Sequence, residues 1–132
     1  MIEVDRLEKS YGFARALKGI SFTVQKGEVI GFLGPNGAGK STTMKILTGY
    51  LAPSGGKGTI DGLDVVADSL LVRQRIGYLP ESTPLYADMR VDDYLRFCAE
   101  IRGVANRNLK SAIARAVKLC GLEQVTGKNI VE

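Results

Sequence analysis

Nine residues in the first third of the chain, Gly34–Thr42, constrain its fold more than any other part of the sequence. They spell GPNGAGKST, which has the spacing G-x-x-x-x-G-K-[ST] with every required residue in place. Glycine allows the backbone to curl so that successive N–H groups point into one concavity, and a helix beginning there adds its positive dipole end. The pattern predicts a phosphate-binding loop. We expect the whole loop to contact a nucleotide: Gly34, Pro35, Asn36, Gly37, Ala38, Gly39, Lys40, Ser41 and Thr42.

The flanks of this loop have the context that the motif requires. The apolar run Val29–Leu33 predicts a buried strand before it. After it, Met44, Leu47 and Leu51 recur at helical spacing. In a strand–loop–helix unit of this kind, Lys40 is expected to reach the terminal phosphates and the Ser41 hydroxyl to ligate Mg²⁺. The alternative interpretation is a glycine-rich strand–helix turn with a chance lysine.

Composition favours an ordinary globular domain and excludes several other classes. The chain has 132 residues, of which 45% are hydrophobic and 24% charged. Apolar stretches fall short of the roughly 18 residues that a transmembrane helix needs, and the N-terminus does not resemble a signal peptide. We therefore expect a cytoplasmic protein. The net charge of +4 is dispersed, so no nucleic-acid partner is expected. Cys98 and Cys120 lie on apolar helix faces and are predicted to be buried free thiols.

The remaining pattern predicts a small sheet followed by helices. Residues 2–8 and 20–24 alternate in polarity like antiparallel strands, separated by turns at Tyr11-Gly12 and Lys18-Gly19. A short strand is expected at 59–62, a helix at about 68–75, and a second buried strand at 76–79 that Pro80 ends. Two amphipathic helices follow, the second ending at Gly121.

With these elements in order, the chain resembles the N-terminal half of the nucleotide-binding domain of an ATP-binding cassette (ABC) ATPase. The resemblance runs from about residue 2 to the end and is strongest at 17–22, at 26–28 with the phosphate-binding loop, and at 76–80. It implies an α/β fold of the P-loop NTPase class, with an antiparallel β subdomain, a phosphate-loop βα core and a helical segment. It also implies that residues 1–132 are only the N-terminal part of that domain. About 1–80 would be the core, and about 81–132 a Q-loop-like region and helical subdomain ending before the signature motif.

The resemblance gives roles to residues outside the loop. Tyr11 matches the aromatic residue that stacks on the adenine ring in this family. Glu81 matches a glutamine that contacts Mg²⁺ and lines the groove for the membrane subunit, so we expect a metal-binding or coupling role for it. The acidic variant resembles the branch serving ABC-2-type exporters and gliding-motility systems. In the following loop, residues 82–89, Leu85, Tyr86 and Met89 would either anchor the membrane subunit or cap the adjoining helix pair.

Several parts of the family's catalytic site have no match in the sequence. The signature motif and the apolar run ending in Asp-Glu are missing, and there is no histidine for the switch position. We therefore expect an ATP-binding subunit that uses ATP and Mg²⁺ to power transport, with export as the expected direction, and that does not hydrolyse ATP alone. Its implied partners are a transmembrane permease and a second ATP-binding subunit that closes around the nucleotides, at the inner face of the cell membrane. The alternative is a non-catalytic nucleotide-binding module or a truncated fragment.

Overall fold

The first part of the chain contains a four-stranded antiparallel sheet. The structure is a computed structural model that describes residues 1–83 and 85–131. The strands of the sheet are β1 (Ile2–Tyr11), β2 (Ala14–Val24), β3 (Gly55–Ile60) and β4 (Leu63–Asp64), in the order β2-β1-β3-β4. Two helices belong to the same part, α1 (Lys40–Leu47) and α2 (Ser69–Arg75). Residues 1–78 form one compact unit and residues 79–132 a second.

A bulge in β1 sets which side chains face the core. Val4 and Leu7 are both buried, although a regular strand would place residues three apart on opposite faces. The pairing with β2 and with β3 shifts between these two positions, and Arg6 has a positive φ of 43°. Gly56 on β3 lies so close to the Arg6 carbonyl that an added Cβ would overlap it. The glycine therefore permits the bulge.

The core of the first unit lies between this sheet and the two helices. Ile46 and Leu47 of α1 and Val72 of α2 contribute the helical side. Val65, just after β4, is also buried. The buried set is Val4, Leu7, Leu17, Ile46, Leu47, Ile60, Val65 and Val72.

Three local expectations are wrong. Residues 29–33 and 76–79 are not strands, because no described residue forms a ladder with them. Val29 and Leu33 are 99% and 92% exposed, not buried. Lys18-Gly19 is not a turn: β2 continues through it, with Gly19 at a φ of 91° beside a register shift. The turn at Tyr11-Gly12 and the antiparallel pairing of the first two strands are confirmed. The strand expected at 59–62 is present only in part, because β3 spans Gly55–Ile60 and residues 61–62 form a turn.

The second unit contains the two amphipathic helices, α3 (Val91–Ile101) and α4 (Asn106–Cys120). Gly121 ends α4 in the left-handed region, as expected. The segment 126–131 runs beside 87–92, and Val91 N–H donates to Lys128 O at 3.0 Å. Leu109 is the one buried hydrophobic residue within the described part of this unit.

Two further sequence expectations concern cysteines and membrane spans. Cys120 is exposed, so the prediction of a buried thiol is wrong for this residue. Cys98 is half-buried, so the prediction is only partly met there. The reason is that α3 and α4 have few neighbours among the described residues to cover their apolar faces. No helix in the described part of the chain is both long and apolar enough to cross a bilayer.

Candidate functional site

The phosphate-binding loop ends at Gly39, which the fold holds in a conformation suited to glycine. Its φ and ψ are 86° and 7°, in the left-handed region, and it is the N-cap of α1. An added Cβ would overlap Leu17 Cδ2 and lie 2.7 Å from the Ala16 carbonyl oxygen. Strand β2 therefore approaches the loop closely, and only glycine fits at this position.

Backbone bonds define the remainder of the loop. Ala38 N–H donates to Pro35 O at 3.2 Å, which closes a turn before the helix. Gly37 also has a positive φ, 83°. In the first helical turn, Thr43 is buried, and its N–H and hydroxyl donate to Gly39 O at 2.8 and 3.0 Å. No side chain caps the N-terminus of α1, so its first N–H groups are directed toward the loop as in anion-binding helix termini.

Lys40 turns its ammonium back into the loop. Its Nζ donates to the carbonyls of Gly34 and, at 2.8 Å, Pro35. A cation in this position lies where the loop curls, and phosphate oxygens are stronger acceptors for it than neutral carbonyls. An anion bound in the loop would therefore contact the Lys40 ammonium. Ser41, the predicted metal ligand, is exposed in the same helical turn.

Tyr11 lies at the end of β1, beside the hairpin turn. Its ring is 51% exposed, and its partner on β2 is Ala14. Two residues after Ala14, the carbonyl of Ala16 lies against Gly39. Strand β2 thus connects the Tyr11 hairpin to the phosphate-binding loop, and both belong to the first unit.

The loop after α1 is bonded to the same end of β1. Ser54 N–H donates to Glu8 O at 2.8 Å, and Ser10 N–H donates to Ser54 Oγ at 3.1 Å. Lys9 Nζ donates to Ala52 O at 2.7 Å. The end of β1 is therefore fixed to the segment that follows the phosphate-loop helix.

Glu81 lies in the second unit, in an exposed stretch outside any helix or strand. The structure thus brings together the phosphate-binding loop and the Tyr11 hairpin within one unit, whereas Glu81 belongs to the other. Among the described residues, no group of three or more His, Cys, Asp or Glu side chains could hold a metal ion.

The predicted docking loop is only partly described, because Pro84 lies outside the described residues. The Tyr86 ring contacts the rings of Tyr94 and Phe97 on α3, with centroids 6.4 and 5.7 Å away. Tyr86 therefore packs on the helix while remaining 57% exposed. Leu85 is also exposed and Met89 half-buried.

Two residues that position the site were missed as such by the sequence analysis. Leu17 was recognised only as part of the resemblance, yet it contacts Gly39. The sequence assigns no role to Lys9, although its ammonium lies 5.5 Å from the centroid of the Tyr11 ring. The pattern Lys-x-Tyr places both side chains on one face of a strand, which is the clue that the sequence offered.

Comparisons with known proteins show the family to which the chain is similar. The family model described as ABC transporter matches residues 17–131. The probable multidrug ABC transporter ATP-binding protein YbhF of Escherichia coli K12 is 37% identical over 95% of this chain and 22% of its own length. Nod factor export ATP-binding protein I of Rhizobium sp. strain N33 is 36% identical over 99% of this chain and 43% of its own. A solved ATP-binding subunit of an ABC transporter aligns with a TM-score of 0.85 and 28% identity, over 98% of this chain and 54% of that one.

The chain therefore spans only about a quarter to a half of the length of the relatives it matches. The match still covers most of the present sequence, at identities above 30% for both curated relatives. The structural neighbours share its α/β architecture as P-loop nucleotide-binding domains. By sequence and by fold, this chain belongs to the ABC transporter family.

Proposed function

We propose that this chain binds Mg-ATP as the N-terminal part of the nucleotide-binding domain of an ABC transporter ATP-binding subunit. The observation that carries the proposal is the position of Lys40. Its ammonium lies inside a glycine-rich loop, on the carbonyls of Gly34 and Pro35, at the uncapped start of a helix. A lysine, a helix terminus and a curled backbone together suit a polyphosphate chain.

Each predicted site residue has a place in this proposal. Residues 34–42 hold the phosphates, with Lys40 on the terminal ones. Tyr11 stacks on the adenine ring. Ser41 serves Mg²⁺, which when bound neutralises charge on the phosphates. Glu81 keeps the metal-binding or coupling role that the resemblance implies. What the chain's own residues contribute is binding and orientation, because Gly39 and Leu17 fix the course of the loop before a ligand arrives.

The transport role rests on the relatives. Their names include multidrug transport and Nod factor export, which supports an export system. In such a system the chain would act at the cytoplasmic face of a membrane, with a permease and a second ATP-binding subunit. We expect binding without turnover from this chain alone, since phosphoryl transfer also needs a residue that orients the attacking water. In this proposal the residues of the loop bind the phosphates and the metal, so none of them is assigned to orient the water.

A thermal melt and a calorimetric titration with Mg-ATP test the proposal. Binding to the folded state alone stabilises by RT ln(1 + [L]/Kd), about 2.7 kcal/mol at a hundredfold excess over Kd. We expect Mg-ATP to raise the melting temperature of the parent chain. Lys40→Ala should remove this rise while leaving the ligand-free transition in place.

Lys45→Ala is the matched control. Lys45 lies on the same helix and is exposed, so the variant removes the same charge without touching the loop. It should bind Mg-ATP like the parent. Equal ATP affinity in Lys40→Ala and the parent would exclude the phosphate-binding role of the loop.

A further inference from the structure

The ammonium of Lys9 has two partners that belong to different parts of the first unit. It donates to the Ala52 carbonyl at 2.7 Å, and it lies over the Tyr11 ring, 5.5 Å from the centroid. The second distance is within the range of an attractive cation–π contact, roughly 6 Å. Ala52 belongs to the segment that follows α1, the helix that begins at the phosphate-binding loop. Lys9 thus connects the Tyr11 ring to the segment that follows that helix.

The position of Lys9 on β1 makes this connection firm. The residue is half-buried, and its partner across the hairpin is Leu17, the residue that contacts Gly39. The neighbouring bonds between Ser54 and the end of β1 hold the Ala52 carbonyl near the strand. The lysine head is therefore restrained by a backbone acceptor, whereas most exposed lysines are free to sample many rotamers.

Restraint of the ring matters because stacking uses only one face. The Tyr11 ring is 51% exposed, and the ammonium lies over one of its two faces. A ring that is already oriented loses less conformational freedom when a second planar group stacks on it. The opposite face is the one that a base can use.

We propose that Lys9 is a positioning residue for nucleobase binding: anchored on the Ala52 carbonyl, it holds one face of Tyr11 so that the other is presented to the base. This inference rests on the proposed nucleotide-binding function and deepens it. It assigns the lysine a role toward the base, which is distinct from a general attraction between a cation and the phosphates.

Two ligands separate these roles in calorimetric titrations of the full 132-residue chain. Mg-ATP carries the base, and Mg-tripolyphosphate carries only the phosphate chain. Lys9→Met keeps the length of the stem and removes the charge. We expect it to lower the Mg-ATP affinity about two- to fivefold, as the loss of an exposed cation–π contact implies. The tripolyphosphate affinity should stay at the parental value, which also shows that the loop remains folded.

Three variants complete the test. Lys9→Arg can keep both the carbonyl bond and the ring contact, so it should retain most of the Mg-ATP affinity. Lys57→Met removes the charge of an exposed residue on β3 of the same sheet and should change neither affinity. In Tyr11→Ala, adding Lys9→Met should cause no further loss, because the lysine acts through the ring.

The outcomes distinguish this inference from the function on which it rests. The role of Lys9 alone would be overturned if Lys9→Met weakened the binding of both ligands equally. It would also be overturned if Lys9→Met left the Mg-ATP affinity unchanged or raised it while Tyr11→Ala clearly lowered it. No loss in Tyr11→Ala would overturn base stacking at this residue, and the role of Lys9 with it. A parent chain that binds neither ligand would overturn the proposed function itself.

Discussion

Gly39 and Leu17 lie so close that a methyl group added to Gly39 would overlap the Leu17 Cδ2 atom. The contact joins the last loop residue before α1 to the middle of β2. It explains why the loop follows a fixed course, since the strand occupies the space that any side chain at residue 39 would need. The sheet therefore shapes the phosphate-binding loop from the side.

The first prediction concerns this contact. Gly39→Ala should destabilise the chain both through the left-handed backbone, about 1–2 kcal/mol, and through overlap with β2, about 1–3 kcal/mol more. Gly37→Ala is the control, because Gly37 also has a positive φ of 83°, but apart from its chain neighbours no atom of the described residues lies within 4 Å of an added Cβ. Denaturant unfolding of both variants measures the difference. Equal destabilisation would mean that the Leu17 contact adds nothing.

The second prediction concerns the aromatic residues of the hairpin. Tyr11→Ala should weaken Mg-ATP binding by about 1–3 kcal/mol, the range for a base stacked on an aromatic ring. Phe13→Ala is the control: Phe13 lies in the same turn and is fully exposed, so its removal should leave binding unchanged. Titration calorimetry on both variants decides which ring the base uses. A loss in Phe13→Ala with none in Tyr11→Ala would reverse the assignment.

The third prediction concerns the exposed apolar segment 29–33. Val29 and Leu33 are almost fully exposed, and exposed apolar residues close together in the chain favour self-association. Val29→Lys should lower the apparent mass measured by sedimentation at high concentration. Val66→Lys adds the same charge at an exposed turn of the same unit and serves as the control. If both variants reduce association equally, net charge and not the segment is responsible.

The fourth prediction concerns the pH dependence of stability. Asp64 Oδ1 accepts hydrogen bonds from Val66 N–H at 2.8 Å and Ala67 N–H at 3.0 Å. The Ala67 bond first, and then the Val66 bond, lower the pKa of Asp64 below its ordinary value. A lowered folded-state pKa stabilises the fold above the unfolded value, near 3.9, and this stabilisation disappears as pH falls through the folded pKa.

Asp64→Asn tests this effect. The free energy of unfolding of the variant should decline less steeply than that of the parent as pH is lowered from about 5 through the unfolded pKa near 3.9. Denaturant titrations at several pH values measure both slopes. Identical slopes would show that the turn bonds at Asp64 do not discriminate between its two protonation states.

Local features of the site could be predicted from the sequence because they depend on neighbouring residues. The spacing of glycines and Lys40 specified a curled loop followed by a helix, and α1 follows the loop as expected, although it ends at Leu47, before the predicted Leu51. Alternating polarity predicted that β1 and β2 would pair, and they do. The bulge at Arg6 and the closeness of Gly39 to Leu17 were not predictable, since both arise from pairs of segments far apart in the chain.

The sequence by itself determined the phosphate-loop motif, the family and the type of most elements, because these follow from residue spacing and local backbone preference. Only the tertiary structure decided which apolar runs became strands. A strand exists only where a neighbour supplies hydrogen bonds, and no described segment does so for residues 29–33 or 76–79. It also placed Lys9 between Tyr11 and Ala52, because that contact depends on a bond spanning more than forty residues of sequence.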